Sequence, residues 1–293
     1  MKERPLYISK ITPFIDKPIV KVITGIRRSG KSALLMLLKD YFISKGSSAE
    51  NIIYINFESM EYADIDSAKS LYSYVVEHKP SNGKCYILLD EIQNVKDWER
   101  AVNSFQVDID CDIYITGSNS HLLSSELSTL LAGRYVEFVI ETLSFKEYLS
   151  FLDSDIIDVY KEFNNYLRLG GFPVIHAHNY DADSAYKIIN DIYSSVILRD
   201  TIQRHNIRNV DQLERIMKFV LTNVGNLFSA KSISDYFISQ KRKVDINTVY
   251  NYLSALESAY IIRRVNRYNL KGKEILKTNE KFYLSDHALI YSL

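Results

Sequence analysis

The stretch Gly25-Ile26-Arg27-Arg28-Ser29-Gly30-Lys31-Ser32 has two glycines bracketing four residues and a Lys-Ser pair immediately after. That spacing suits a phosphate cradle. Glycines let backbone N–H groups curl round phosphate oxygens, and a helix that begins there adds its dipole. The flanks agree: the apolar run Val20-Lys21-Val22-Ile23-Thr24 precedes the loop and the helix-forming Ser32-Ala33-Leu34-Leu35-Met36-Leu37-Leu38 follows it. The cradle is therefore read from Gly25 to Ala33. Lys31 is expected to reach the β and γ phosphates and Ser32 to ligate Mg²⁺. Arg27 and Arg28 occupy central loop positions that tolerate most side chains, and no catalytic role is assigned to them.

A phosphate cradle needs a second carboxylate for magnesium, and the strand-like run Tyr86-Ile87-Leu88-Leu89 ends on Asp90-Glu91. Ligands gather at such C-terminal strand ends in α/β sheets. Asp90 is placed to hold Mg²⁺ through water and Glu91 to polarise the water that attacks a γ phosphate. Lys31 and Asp90 are separated by 59 positions, room for a helix, a strand over 52–57 and another helix. An extra strand then lies between the two motif strands, as in ATPases with a catalytic glutamate rather than in small kinases or GTPases. The order Asn94-Val95-Lys96-Asp97 does not match the Asn-Lys-x-Asp loop that reads guanine, so adenine is expected. Trp98, Val102 and Phe105 share one helical face, and Trp98 reads as core rather than as a base-stacking platform.

Two further positions have two readings each. The run Tyr114-Ile115-Thr116-Gly117-Ser118-Asn119 puts small polar groups beside Glu91 if the strands are neighbours. Asn119 or Ser118 would then orient the attacking water, or Ser118 or Ser120 would cap the next helix. Arg134 follows the helix-like His121 to Gly133 and precedes a strand. It is either a finger for a neighbouring subunit's γ phosphate or a partner for helix C-terminal carbonyls.

What must position these residues is legible in the wider pattern. The chain has 293 residues, against a prior of about 150 per domain. Its 46% hydrophobic and 25% charged content excludes disordered, collagen-like and coiled-coil chains. Near-continuous apolar runs over 19–24, 52–57, 85–90, 111–116 and 135–140 alternate with amphipathic stretches, which predicts an α/β fold with a parallel sheet of about five strands and helices on both faces. No signal peptide or membrane-length apolar run is apparent, so a cytoplasmic protein is expected, with Cys85 and Cys111 reduced in the core. His176-x-His178 lacks a third ligand and reads as a solvated loop.

Beyond Leu143 the pattern is helical, with Phe145, Tyr148, Leu149 and Leu152 on one face. Helices are predicted over 211–224, 230–239 and 245–260, the last with Ile246, Val249, Tyr250, Leu253, Leu256 and Tyr260 inward. A hairpin follows, its turn at Lys271-Gly272-Lys273. Three helices and a hairpin make a winged helix. The neutral total hides an acidic body of net −5 and a segment over 211–293 of net +5. Lys241, Arg242, Lys243, Arg263, Arg264, Arg267, Lys271 and Lys273 offer phosphate contacts. The outer face of the third helix carries only Asn247, Thr248, Asn251 and Ser254, a modest set for reading bases. DNA binding and a role as brace or protein dock both stand.

Together GIRRSGKS, YILLDEIQ, ITGSNS with LLAGR, YLRLGGFP, and the tail VGNLFSAKSISDYF to FYLSDHAL resemble the prokaryotic AAA+ superfamily ATPases in which an ATPase core precedes a helical lid and a winged helix. The resemblance covers nearly the whole chain. It implies a core over 1–142, a lid over 143–208 and a winged helix over 209–293. It also implies Asp90 and Glu91 as the second nucleotide motif, Asn119 as sensor, Arg134 as finger, and Gly171-Phe172-Pro173 as a lid turn touching nucleotide. Many members continue into a restriction-nuclease-like domain, which is expected to be absent from a chain ending at Leu293. The expected function is Mg²⁺-dependent ATP hydrolysis, slow unless partnered, that moves the basic winged helix. The alternative is a nucleotide-gated switch on a protein partner, and a homo-oligomer would deliver Arg134 in trans.

Overall fold

The computed structural model describes residues 2–118, 131, 133–152, 158–178, 180–194, 201–242, 244–266 and 280–292. The chain forms two compact units, one of residues 1–25 and 29–141, the other of residues 26–28 and 142–293.

In the first unit, α1 (Pro5–Ile11) leads into β1 (Val20–Thr24), α2 (Lys31–Ser44), β2 (Ile52–Asn56), α3 (Ala68–His78), β3 (Cys85–Asp90), α4 (Trp98–Asp108), β4 (Cys111–Thr116) and β5 (Tyr135–Val139). The strands pair in parallel in the order β2-β3-β4-β1-β5. Each strand lies within a residue of the span its apolar run predicts. The strand between β1 and β3 in space is β4, whereas β2, which separates them in the chain, lies at the edge. Alternation along the strands divides the core into two layers. Ile87, Leu89, Ile113 and Ile115 pack under Leu71, Val75, Val102 and Phe105 of α3 and α4. Ile23, Leu88, Tyr114 and Phe138 face Tyr7 and Ile11 of α1 and Leu34, Leu35, Leu38 and Phe42 of α2. Trp98 is 5% exposed in the first of these layers, a core residue as its helical face predicts.

Two apolar-strand positions carry something other than core. Lys21 on β1 and Asp112 on β4 are fully buried and form an ion pair. Asp112 Oδ2 also accepts from Tyr114 Oη and Asp16 N, each at 2.8 Å, and Lys21 donates to Lys17 O at 3.1 Å. Cys85 and Cys111 stand opposite one another on β3 and β4 as free thiols, and burial pushes them up to about 11 and about 12. Cys85 is buried and Cys111 half-buried, and the raised pKa disfavours the reactive thiolate in both.

The second unit contains α5 (Phe145–Phe151), α6 (Val159–Leu169), α7 (Pro173–Ala177), α8 (Ala182–Ile192), α9 (Thr201–Arg204), α10 (Val210–Thr222), β6 (Leu227–Phe228), α11 (Ala230–Ser239), α12 (Ile246–Ser258), β7 (Ile262–Val265) and β8 (Glu280–Leu284). The three strands form an antiparallel sheet in the order β6-β8-β7. Local chemistry sets the helix starts. Ser144 with Glu147 and Ser229 with Ser232 form capping boxes, while Asn209 and Asp245 accept from first-turn amides. One hydrophobic core joins Phe172, Ile175, Ile189 and Ile192 to Leu213, Ile216, Ile233, Val249, Leu253 and Phe282, so residues on both sides of position 208 share it. On α12, Val249, Leu253 and Leu256 are buried as predicted, but Ile246 at the helix start is 39% exposed, and Tyr252 and Ala255 take its place inside.

The paired glycines at 170 and 171 are explained within this unit. Asp286 is buried and accepts from Gly171 N at 2.8 Å and Ala288 N at 2.9 Å. Burial pushes its carboxyl up, against the pull of those amide bonds. Gly170 has φ +72° and ψ −163°, a region open essentially to glycine alone, and a Cβ there would lie 2.1 Å from Asp286 Oδ1. Gly170→Ala should therefore lower stability by at least about 1–3 kcal/mol, the usual cost of such backbone strain. A urea titration checks this, and an unchanged midpoint would mean that the turn is free to relax.

Candidate active site

The phosphate loop starts where β1 stops. Ile140 N donates to Thr24 O at 2.8 Å, which sets the exit of β5 against the first loop residue. Gly25 has φ +135°, and a Cβ on it would lie 2.2 Å from Ile140 O, so no other residue fits. Gly30, at φ +98°, turns the chain into α2. Lys31 is buried at the helix start and donates from Nζ to Gly25 O at 3.2 Å, spanning the loop. Ser29 Oγ is buried with no hydrogen-bond partner, a hydroxyl that a phosphate oxygen would satisfy. Arg28 has a left-handed backbone, φ 63°, and an exposed side chain. Ile26 is buried in the core of the second unit.

The back of the loop is held by a residue outside every motif. Arg4 is 3% exposed and donates from Nη1 to Ser29 O at 2.9 Å and to Glu141 O at 3.1 Å. Its guanidinium lies 4.5 Å from the Tyr7 ring centre, and Tyr7 Oη accepts from Glu141 N at 3.0 Å. A single arginine before α1 carries no sequence signal for this role. Its partners are 25 and 137 positions away.

Asp90 and Glu91 stand at the exit of β3, next to β4 as the neighbouring-strand condition required. Asp90 is fully buried, and burial pushes its carboxyl above the ordinary carboxylate range. Hydrogen bonds work the other way: Thr116 Oγ1 donates to Oδ1 at 2.5 Å, Tyr54 Oη to Oδ2 at 3.3 Å, and Ser32 contributes its hydroxyl. Ser32 and Asp90 thus bring together a hydroxyl and a carboxyl, the hard oxygen donors that Mg²⁺ takes, so the residues present fit that ion. Glu91 sits in a left-handed conformation, φ 56°, with its N–H given to Thr116 Oγ1 at 2.9 Å. Thr116 therefore ties both acidic residues together, a link that the water-orienting and capping readings of Ser118 and Asn119 did not include. Asn119 lies outside the described residues. Gln93 Nε2 donates to Glu91 Oε2 at 2.5 Å, and Gln93 Oε1 is buried without a partner.

The remaining expected residues lie elsewhere. Arg134 is at the entrance of β5: its carbonyl accepts from Val20 N at 2.8 Å and its Nη1 donates to Asn103 Oδ1 at 3.2 Å. In a parallel sheet that is the end of the strands opposite the phosphate loop, about 16 Å away along a five-residue strand, although β5 is the direct neighbour of β1. Arg134 cannot serve its own loop. Pro173 opens α7 in the second unit. His176 is buried and hydrogen-bonds Gly170 O at 2.7 Å, which corrects its reading as a solvated loop residue, while His178 is exposed. No group of three or more metal-ligating side chains occurs among the described residues.

In the second unit, Arg242 pairs with Asp211 at 3.0 Å, and Arg264 with Glu257 at 3.1 Å and Glu280 at 3.0 Å. Arg264 thus already faces two carboxylates, whereas its sequence position suggested a phosphate contact. Asn247, Asn251 and Ser254 are exposed and Thr248 half-buried, as the outer face of α12. Lys243, Arg267, Lys271, Gly272 and Lys273 lie outside the described residues.

A five-stranded parallel sheet with a glycine-rich loop after β1 and an acidic pair after β3 is an AAA-type P-loop ATPase fold. The family model for an AAA domain matches residues 17–149, and a domain of unknown function matches residues 160–293. An uncharacterized protein of Haemophilus influenzae is 40% identical over 294 residues, 99% of this chain and 72% of that protein. The chain belongs to the family of that protein. An uncharacterized protein of Methanocaldococcus jannaschii is 30% identical over 94% of this chain and 62% of its own length. Among solved structures, a Walker-type ATPase of Pyrococcus abyssi shares the fold, with a TM-score of 0.65, 16% identity, and coverage of 100% of this chain and 95% of that one. Among the described residues no helix is long and apolar enough to cross a membrane.

Proposed function

We propose that this chain is a cytoplasmic ATPase that binds ATP with Mg²⁺ and hydrolyses it to ADP and phosphate. The observation that carries the reading is the buried acidic pair tied by Thr116 beside a loop whose Ser29 hydroxyl is unpartnered. Lys31 and the amides of residues 25–33 bind the β and γ phosphates. Ser32 and Asp90 would hold Mg²⁺, which supplies charge neutralisation between the phosphates. Glu91 accepts a proton from the attacking water. Asn119 serves as sensor, Pro173 touches the nucleotide, and a second copy of the chain delivers Arg134 in trans, a reading that agrees with the place of Arg134 at the entrance of β5.

The coupled output is movement of a winged helix built from α10, α11, α12 and the β6-β8-β7 sheet, following a helical lid, with DNA as the polyanion its net charge would meet. A second reading of the output is a nucleotide-gated dock for a protein partner. The ion pairs that occupy Arg242 and Arg264 favour it.

Calorimetric titration with adenine nucleotides and Mg²⁺ tests the central reading. ATP binding is expected for the wild-type chain and is expected to weaken at least about tenfold in Lys31→Ala, the scale of one lost charge-assisted contact. No heat and no thermal protection at millimolar nucleotide would overturn it. Phosphate release stimulated by duplex DNA selects the DNA output; nucleotide-dependent partner binding that survives Glu91→Gln selects the dock.

A further inference from the structure

In the run Asp90-Glu91-Ile92-Gln93 the two carboxylates have roles in the site, and Gln93 is a further polar side chain with none. Its amide is held in one orientation by chemistry. A carboxylate only accepts, so the group facing Glu91 Oε2 must be Nε2–H, as found. The oxygen Oε1 is thereby fixed as an acceptor, and it is buried with nothing donating to it. A buried acceptor left unmatched costs about 1–3 kcal/mol, so native structures seldom keep one without a partner to come.

The turn that carries Gln93 is rigid. Glu91 N is bound to Thr116 Oγ1, Asn94 N and Val95 N close back on Glu91 O and Ile92 O, and Ile92 and Val95 are buried in the core. The two atoms of an amide are about 2.3 Å apart, so Oε1 lies no more than about 5 Å from Glu91 Oε2. Two acceptors at that separation suit one water molecule, which would give one proton to each once Oε1, closed to solvent here, is opened by nucleotide binding.

We propose that Gln93 is the second water-orienting residue of this site: Oε1 accepts one hydrogen of the attacking water while Glu91, steadied by Gln93 Nε2, accepts the other. In the chemical step the water oxygen forms a bond to the γ phosphorus and the bond from phosphorus to the bridging oxygen breaks. The proton on the Glu91 side passes to the carboxylate, the second stays on the transferred phosphate, and ADP leaves with the electron pair. This inference rests on the hydrolytic reading given above and adds to it the group that fixes the direction of attack.

The test uses Gln93→Met, which keeps length and bulk without acceptor or donor, and Gln93→Ala as a second variant, in single-turnover hydrolysis of Mg²⁺-ATP. Both are expected to lower the rate about 10–100-fold with ATP affinity within twofold of wild type, and Gln93→Met, which removes the unmatched oxygen, to have a thermal midpoint no lower than wild type. The decisive comparison is with Glu91→Gln. Both residues act on one water, so Gln93→Met should add less than about twofold in the Glu91→Gln background. A residue that merely braces the turn would lower the rate equally in both backgrounds, and that result would overturn the proposal. So would an unchanged or raised rate in Gln93→Met, the raised rate marking a latch that restrains Glu91. Wild-type chain that binds ATP and never cleaves it would instead overturn the hydrolytic reading itself.

Discussion

Glu91→Gln should reduce ATP turnover by about 10²–10⁴-fold while leaving ATP affinity within about twofold of wild type. The substitution keeps the shape of the side chain and removes only its capacity to take a proton. It adds no backbone strain, since position 91 already holds a non-glycine residue at φ 56°. The amide of Glu91 would still bind Thr116 Oγ1, and Thr116 would still bind Asp90, so the oxygens beside Ser32 stay in place. Binding and cleavage are thus separable here because the two carboxylates have different neighbours: Asp90 is fully buried among hydroxyls, Glu91 is joined to Gln93. Single-turnover phosphate release with equilibrium nucleotide binding on the same sample is the measurement. A loss below about tenfold would move the role of base to another group.

Breaking the Lys21–Asp112 pair should cost about 3–5 kcal/mol, as removal of one member of a buried ion pair does. Both side chains are fully excluded from solvent, and burial lowers the affinity of Lys21 for its proton against the pull of Asp112. Lys21→Met would strand Asp112, whose Oδ2 would keep Tyr114 and Asp16 N but whose Oδ1 would lose its ammonium. Total stabilities of domains run to about 5–15 kcal/mol, so this single change would remove a large part. The double variant Lys21→Met, Asp112→Leu should recover most of the loss, since replacing both partners by apolar groups is often neutral. Urea unfolding of the two variants tests this. Equal instability of single and double variants would assign the effect to packing volume rather than to the stranded charge.

Arg4, Thr116 and the Lys21–Asp112 pair share a property that explains why motif reading passed over them or gave them no role. Each works through a partner at least 25 positions away, across a strand pairing or from the residue before α1 onto the loop. Gln93 is two residues from Glu91, yet its meaning lies in an unmatched oxygen that only a folded turn reveals. Residue type gave no hint for Lys21, a cation in the middle of an apolar run that is buried at every position.

By itself the sequence determined the elements and the phosphate loop. Five apolar runs became β1 to β5 with boundaries shifted by at most a residue, and Gly25 to Ser32 folded as the bend between β1 and α2. Those features depend on periodicity and on backbone freedom at glycines, which are local. Tertiary structure alone decided that β4 rather than β2 separates β1 from β3, that Thr116 ties Asp90 to Glu91, and that Arg134 stands at the end of the strands opposite the loop. Five buried strands of similar apolar content can be ordered in many ways, and the choice among them is made by side-chain packing summed over both faces of the sheet, a quantity no short stretch of residues contains.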